Sequence, residues 1–421
     1  MEYQEIIKVI ENKRRFGSLP GIKISEKLLA AVGNPQNDLA FVHIAGTNGK
    51  GSTAAFLCSI LKEAGILAGA FTSPHLIEFR ERISVGGVMI PEEAAARLGQ
   101  RLLDLPLDAS PSMFDYCLAM ALLYFQEADC RLVVLETGLG GRLDATNIID
   151  APLVGVITKI GYDHMETLGD TLAEIAAEKA GILKKGMRAV LGSQKPEAME
   201  VLVSACEKLG VLYQAVDASR ILPTDGGFSY PGESPYQIGL PGDFQRENAM
   251  AAILCARELA GLGYDICEED LHRGIAKAVW NGRMEIISKE PFLMIDGAHN
   301  EDGVRALVQS LAHMFPDEKF HFIMGVMADK DYKKMAECIL PLAQKVTAMT
   351  PENQRSLQGE DLAGHFLKLG IKAERKADFG EVFASFLMKK NRKEQKEKTI
   401  VFGSLYFIGE IRKFFQITNI I

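Results

Sequence analysis

The chain has little of what marks secreted, membrane-spanning or nucleic-acid-coating proteins. Its seven cysteines, Cys58, Cys117, Cys130, Cys206, Cys255, Cys267 and Cys338, form no C-x-x-C pair and are odd in number. Neither a disulfide framework nor a sulfur-rich zinc site is expected, and the thiols read as reduced, mostly core residues. No apolar run approaches the roughly 20 residues needed to span a bilayer, so no membrane partner is expected. The opening MEYQEIIKVIENKRR lacks the basic-then-apolar order of a secretory signal, and the expectation is a cytoplasmic protein. Lys and Arg number 47 against 55 Asp and Glu, a formal charge of -8. That balance argues against nucleic acid as a partner, although local positive groups can still hold small anions. The 16 prolines and 39 glycines are dispersed over 421 residues, so no disordered segment is expected. There is no repeat and no local signature of a serine or cysteine nucleophile.

What is present is alternation. Apolar strand candidates at 40–45, 131–135 and 153–158 alternate with helical stretches at 52–64, 113–127 and 170–180. This predicts an α/β fold with a mostly parallel sheet and ligands at the strand ends. Residues 211–240, rich in Gly, Pro and Tyr, read as irregular with a short antiparallel patch. Helices follow at 245–260 and 268–279. After WNGRMEIISKE the pattern restarts, with strands at 293–296, 321–326, 346–349 and 399–403 and helices near 302–314, 330–340 and 378–389. A second domain is therefore expected, the division being 1–284 and 285–421. The basic run KKNRKEQKEK at 389–398 reads as a solvated loop.

The stretch FVHIAGTNGKGSTAAFL, residues 41–57, is a strand, a tight loop and a helix start. Gly46, Gly49 and Gly51 permit close backbone approach, so successive N–H groups can surround phosphate oxygens. Lys50 supplies charge, Ser52 can ligate magnesium, and the helix adds its N-terminal field. Gly51 between lysine and serine departs from the ordinary G-x-x-x-x-G-K-[ST] pattern. The bland alternative is a structural turn with a solvated lysine.

Further strand ends carry polar residues. RLVVLETGLGGRLDATN (131–147) puts Glu136 before a glycine run, and VGVITKIGYDHMETLGDT (154–171) puts Asp163 and His164 beyond its strand. Hydroxyl, carboxylate and neutral imidazole suit Mg2+, histidine least of the three. AAEKAGILKKG places Lys179 in a small-residue helix, where a salt-bridged lysine is the ordinary alternative. LMIDGAHNEDG places Asp296, His299 and Asn300 at another strand end, where one polar residue can be a helix cap.

Taken together, GTNGKGS, TSPHL, FRERI, ETGLGGRLDATN, IGYDHMETLG, EKAGI, PGDFQRENA, NGR, DGAHN and FGSLYFIGE occur in the order seen in folylpolyglutamate and dihydrofolate synthases. The resemblance runs from about residue 16 to 415. It implies an ATP-dependent amide ligase of the Mur ligase type, with a P-loop central domain and a smaller Rossmann-like C-terminal domain. It further implies that Thr47, Asn48, Gly49, Lys50, Gly51 and Ser52 meet ATP phosphates, with Gln245, Asn248, Arg283, Asp296 and His299 as further nucleotide contacts. Ser52, Glu136 and His164 would serve Mg2+, and Lys179 matches a lysine that family members carry as a carbamate. Lys50, His164 and Lys179 form the implied catalytic set. Two departures stand out: Asn281 in WNGR, where relatives commonly have proline, and Lys159 in ITKIG, where many have asparagine.

The implied reaction joins L-glutamate to a folate carboxylate through an acyl phosphate, on reduced folates, with dihydropteroate kept open as a second acyl substrate. Ser73, His75, Phe79 and Arg82 in the segment TSPHLIEFRERI, with Phe114 and Asp115, are the folate-site candidates, the two aromatics having core readings as well. A Mur-type cell-wall ligase and an ATP-binding regulatory switch are the alternatives. A monomer is expected.

Overall fold

The computed structural model describes residues 2–13, 22–387 and 397–418. They divide into two compact units: residues 1–239 with 245–279, and residues 240–244 with 280–421. Most of the basic run at 389–398, and the end of the helix expected at 378–389, lie outside the described residues. No helix among the described residues is long and apolar enough to cross a membrane.

The first unit is built on an eight-stranded sheet: β1 Ala40–Ala45, β2 Ala68–Phe71, β3 Ile83–Val85, β4 Val88–Met89, β5 Leu132–Glu136, β6 Val154–Ile157, β7 Arg188–Leu191 and β8 Leu212–Ala215, in the order β4-β3-β2-β5-β1-β6-β7-β8. The pairings are parallel except for the β2-β3 and β3-β4 hairpins. β5 reads LVVLE with every residue buried, the unbroken apolar run of a strand covered on both faces. The helix Met113–Glu127 packs its apolar side chains into a cluster with Phe71, Val133 and Leu135. A second cluster joins Ala45, Ile157 and Leu191 to Ile175 and Leu202. In the register, Ile44 lies opposite Glu136 and Ala45 opposite Ile157. The loops at 46–52, 136–147 and 158–164 thus leave the carboxyl ends of three adjacent strands, where ligands of open α/β sheets bind.

The region 211–240 differs from its irregular reading. Leu212–Ala215 forms the parallel edge strand β8, and only β9 Leu222–Thr224, β10 Gly227–Ser229 and β11 Tyr236–Gln237 form the antiparallel patch. All four residues of β8 are exposed, which erased the burial pattern that marks a strand.

The second unit carries β12 Glu285–Lys289, β13 Phe292–Ile295, β14 Phe320–Met324, β15 Ala343–Ala348, β16 Ala373–Arg375 and β17 Lys398–Phe402, in the order β12-β13-β17-β14-β15-β16. Only β12 is antiparallel. The division at 284/285 expected from sequence moves to 279/280. Met284 is fully buried in the core of the second unit, and Gly297 N–H donates to Gly282 O at 2.8 Å. Residues 240–244 join this unit as well: Phe244 packs on its core and Asp243 N–H donates to Ser310 Oγ at 3.0 Å.

Candidate active site

The glycine loop after β1 is held by the strand beside it. Thr47 and Asn48 N–H both donate to Lys159 O, at 2.9 and 3.1 Å, and Thr47 Oγ1 exchanges 3.1 Å hydrogen bonds with the carbonyl and amide of Gly161. The loop's open donors therefore narrow to the start of helix Lys50–Glu63. Gly49 is its N-cap at φ 91° and supplies no side-chain cap, so the first amides of that helix have no acceptor within it. A Cβ at Gly46 would collide with the Thr158 hydroxyl, and one at Gly49 with Asn248 Oδ1. These two glycines are fixed by close approach as well as by dihedral.

Two lysines converge on one carbonyl. Lys50 Nζ lies 3.3 Å from Gly46 O, and Lys179 Nζ lies 2.9 Å from the same oxygen. Lys179 is 3% exposed. Burial, reinforced by the charge of Lys50, pulls its ammonium from the ordinary 10.5 down to about 7. A buried lysine that is substantially neutral near pH 7 is a nucleophilic amine. Its helix, Leu172–Ala180, begins with a capping box from Thr171 and Glu174 and ends at Gly181.

Ser52 is buried and accepts from Gln245 Nε2 at 3.2 Å, while Gln245 Oε1 accepts from Asn248 Nδ2 at 2.9 Å. Gln245 has no exposed surface. Its side chain orients Ser52 and Asn248 and presents no free edge to a nucleotide. Glu136, buried at the end of β5, accepts from Ser73 N–H at 3.1 Å. His164 holds φ 51°, a left-handed conformation uncommon for a non-glycine residue, and its N–H donates to Asp163 Oδ1 at 2.9 Å. Among the described residues no three His, Cys, Asp or Glu side chains gather as a ready ligand set. A hydroxyl, one buried carboxylate and one histidine fit a hard cation only when a phosphate or a further anionic oxygen completes the set.

The proposed folate segment is tied down by a residue the sequence reading passed over. Glu81 accepts from the N–H groups of Leu76, Ile77 and Glu78 at 2.7, 2.9 and 2.8 Å. Arg82, 5% exposed, donates from Nε to His75 Nδ1 at 2.9 Å. Burial, then the nearby arginine charge, holds His75 down to about 3, so its imidazole is neutral. Three candidates make structural contacts. Phe79 lies in the core cluster at 3% exposure, while Phe114 packs edge-on to Phe71 and against Gly138. Asp115 is the capping-box partner of Ser112, with Ser112 N–H at 2.7 Å from Oδ2 and the Ser25 hydroxyl on Oδ1. Both of its oxygens are engaged in structure.

In the second unit Asp296 directly follows β13. Its Oδ2 accepts from Met284 N–H at 2.9 Å and its Oδ1 from Ala298 N–H at 2.8 Å. Burial raises its pKa, with Arg283 opposing. A Cβ at Gly297 would press on Arg283 Nη1 at 2.6 Å, and His299 Nδ1 lies 2.8 Å from Gly297 O. Arg283, Asp296 and His299 thus share one junction. Asn300 is a helix cap, accepting from Gly303 N–H at 2.8 Å.

Residues 44–256 match the Mur ligase middle domain, and residues 282–404 match the Mur ligase glutamate ligase domain. Over its full span the chain is 36% identical to the dihydrofolate synthase/folylpolyglutamate synthase of Bacillus subtilis, with 98% of each chain covered. It belongs to the folylpolyglutamate synthase/dihydrofolate synthase family of Mur ligases. The folylpolyglutamate synthase of Lacticaseibacillus casei is 32% identical, over 80% of this chain and 82% of that one. The structure of the Mycobacterium tuberculosis folylpolyglutamate synthase complexed with ADP superposes with a TM-score of 0.87, at 30% identity and 98% coverage of both chains.

At Lys159, one of the two departures noted in the sequence, it is the backbone that meets the glycine loop. The loop is held by the Lys159 carbonyl, while the ammonium turns aside to lie 3.8 Å from Glu247. Asp144 was also missed by the sequence reading. It accepts from Leu139 N–H at 2.7 Å and from the Thr146 hydroxyl at 2.5 Å, pinning the glycine run after β5. The D-x-T spacing of an Asx turn is its sequence signal.

Proposed function

We propose that this protein forms an amide between L-glutamate and the carboxyl group of a reduced folate, driven by ATP. The observation that carries the reading is the convergence of Lys50 and the buried Lys179 on Gly46 O, beside an uncapped helix start, in a chain aligned end to end with folylpolyglutamate synthases. A carboxylate oxygen attacks the γ-phosphorus, the bond to the bridging oxygen breaks, and ADP leaves. The neutral amino group of glutamate then attacks the acyl carbon. The carbon–oxygen bond to phosphate breaks and the nitrogen loses a proton.

In this scheme the amides at Gly49–Ser52 and the Lys50 ammonium hold the phosphates and offset charge that grows during transfer. Ser52, Glu136, His164 and a carbamate on Lys179 would hold magnesium, which supplies charge neutralisation at the phosphates when bound. The carbamate arises when the neutral amine attacks carbon dioxide: a carbon–nitrogen bond forms, a π pair moves to oxygen and one proton is released. Gln245 orients Ser52. Arg82 and His75 offer a buried cation and a neutral ring on the folate side, and the half-buried ring of Phe114 stays the aromatic candidate. In this reading the first unit binds nucleotide and folate, while Arg283 and His299 of the second unit stay nucleotide-contact candidates within that unit.

A second activity on dihydropteroate is supported by the paired name of the Bacillus subtilis relative and by the solved structure of E. coli FolC in complex with DHPP and ADP, 27% identical with a TM-score of 0.86. A mass-resolved assay with ATP, Mg2+ and L-glutamate, run separately on tetrahydrofolate and dihydropteroate, tests both. Glutamate addition to tetrahydrofolate is expected. Absence of amide product with either substrate, despite intact ATP binding, would remove the reading.

A further inference from the structure

The segment that follows Glu136 does more than turn the chain. Gly141 approaches the end of helix Leu172–Ala180 so closely that a Cβ there would lie 2.8 Å from Glu178 O and 3.0 Å from Lys179 O. A Cβ at Gly181 would in turn collide with Arg142. Arg142 N–H donates to Glu178 O at 2.8 Å, supplying a partner to a carbonyl at the end of the helix, where intrahelical donors run out. Asn147 closes the arrangement. Its Nδ2 donates to Arg142 O at 3.1 Å and to Gly181 O at 3.0 Å, one bond to each side of the junction. Its Oδ1 is buried with no hydrogen-bond partner among the described residues, so the side chain is held by its two donated bonds. Lys184 ties the same turn from the other side, with Nζ 3.0 Å from Asn147 O.

Lys179 stands two residues before Gly181 and reaches Gly46 O across this junction. We propose that Asn147 is a positioning residue for Lys179, bridging the loop after β5 to the end of the lysine's helix so that the amine stays at the phosphate loop. The inference rests on the reading of Lys179 as a carbamate. Asn147 touches neither nucleotide nor acyl group in this scheme. It acts through the lysine.

The distinguishing variant is Asn147→Asp, nearly isosteric, which replaces the bridging donor with a carboxylate facing two carbonyls. Asn147→Ala removes the donor without adding charge and carries the same test should the aspartate variant not fold. Two readouts are taken on full-length protein. The first is the carbonyl resonance that appears after equilibration with 13C-bicarbonate, assigned by its loss in Lys179→Ala. The second is the split between kcat and KM for ATP. Asn147 variants are expected to lose most of the carbamate signal and about 10- to 100-fold in kcat, with KM for ATP changed less than about twofold and added bicarbonate restoring part of kcat. Equal carbamate signals in wild type and variants, no Lys179-dependent signal in wild type, or kcat and KM moving in parallel would each overturn the proposal. A wild type that shows the signal yet makes no glutamyl amide would count against the proposed reaction and leave the clamp standing.

Discussion

Two strand-to-helix junctions in this protein look alike in sequence and differ in how their helix starts are finished. After β1, helix Lys50–Glu63 opens on Gly49 in a left-handed conformation with no side-chain cap. After β13, helix Glu301–Met314 opens on Asn300, whose side chain accepts from Gly303 N–H. The first leaves its amides without a side-chain cap and has a lysine beside them, and the second caps with its own oxygen. Asp296 repeats the lesson, because both of its oxygens serve the backbone of its own turn. A junction prepared for an incoming anion is one that declines to satisfy itself.

The comparison breaks most visibly at Gly49. Gly49→Ala forces a side chain into φ 91° and into Asn248 Oδ1. Strain of about 1–3 kcal/mol plus the collision should weaken ATP binding by roughly 100-fold, read by calorimetry with a non-hydrolysable analogue. Lys179→Ala is next. Turnover should fall on the order of 100-fold while ATP affinity changes less than about threefold, with short carboxylic acids restoring part of the rate. Equal losses in both would make Lys179 a nucleotide contact.

At the other junction the expected effect is on stability. Asn300→Ala removes a cap worth about 1 kcal/mol and should lower the thermal midpoint with ATP affinity unchanged. A fall in ATP affinity instead would erase the distinction between the two helix starts.

The smallest effect concerns pH. Between about 7 and 10.5 the unfolded chain holds a proton that buried Lys179 has released, so folding stability rises with pH across that window. Glu410 in the second unit runs the other way. Burial first, then the charge of Glu352, lifts its carboxyl to about 7. From 4.5 to about 7 the folded state keeps a proton the unfolded chain has lost, and stability falls as pH rises. Glu410→Gln should therefore stabilise above pH 7 by on the order of 1 kcal/mol, allowing for solvent screening of a half-buried group. Denaturation midpoints at pH 5 and 8 check this: an equal gain at both would deny the titration.

How much of this was readable beforehand follows from which forces leave a mark on sequence. The buried strands β1, β5 and β6 and the helix Met113–Glu127 were legible because burial writes long apolar runs. β8 was not, because an exposed edge strand carries no such run. β2, AGAF, lacks the branched residues that signal a strand, since Gly69 yields its space to the ring of Phe125. In the candidate site, the strand, tight glycine loop and helix start at 41–57 were legible from the glycines and the apolar run before them. Asp115 reads as a folate candidate in sequence, yet Ser112-x-x-Asp115 is also a capping-box spacing, and the structure shows the box formed. Gln245 reads as a nucleotide contact in sequence, and its bonds to Ser52 and Asn248 are invisible there, because spacing reveals which residues meet and not which way a side chain faces. Glu81, Asp144 and Asn147 act by gathering backbone groups, a role with only a weak sequence signal.

The grip of Lys159 on Thr47 and Asn48 has a thermodynamic consequence. A loop already fastened through two backbone bonds loses little conformational freedom when its guest arrives. If ATP seats here as proposed, less of its affinity is consumed in ordering the receptor. Amide exchange at Thr47 and Asn48 should accordingly be slow in the nucleotide-free protein and change little on binding, with nucleotide-dependent protection confined to residues 49–52.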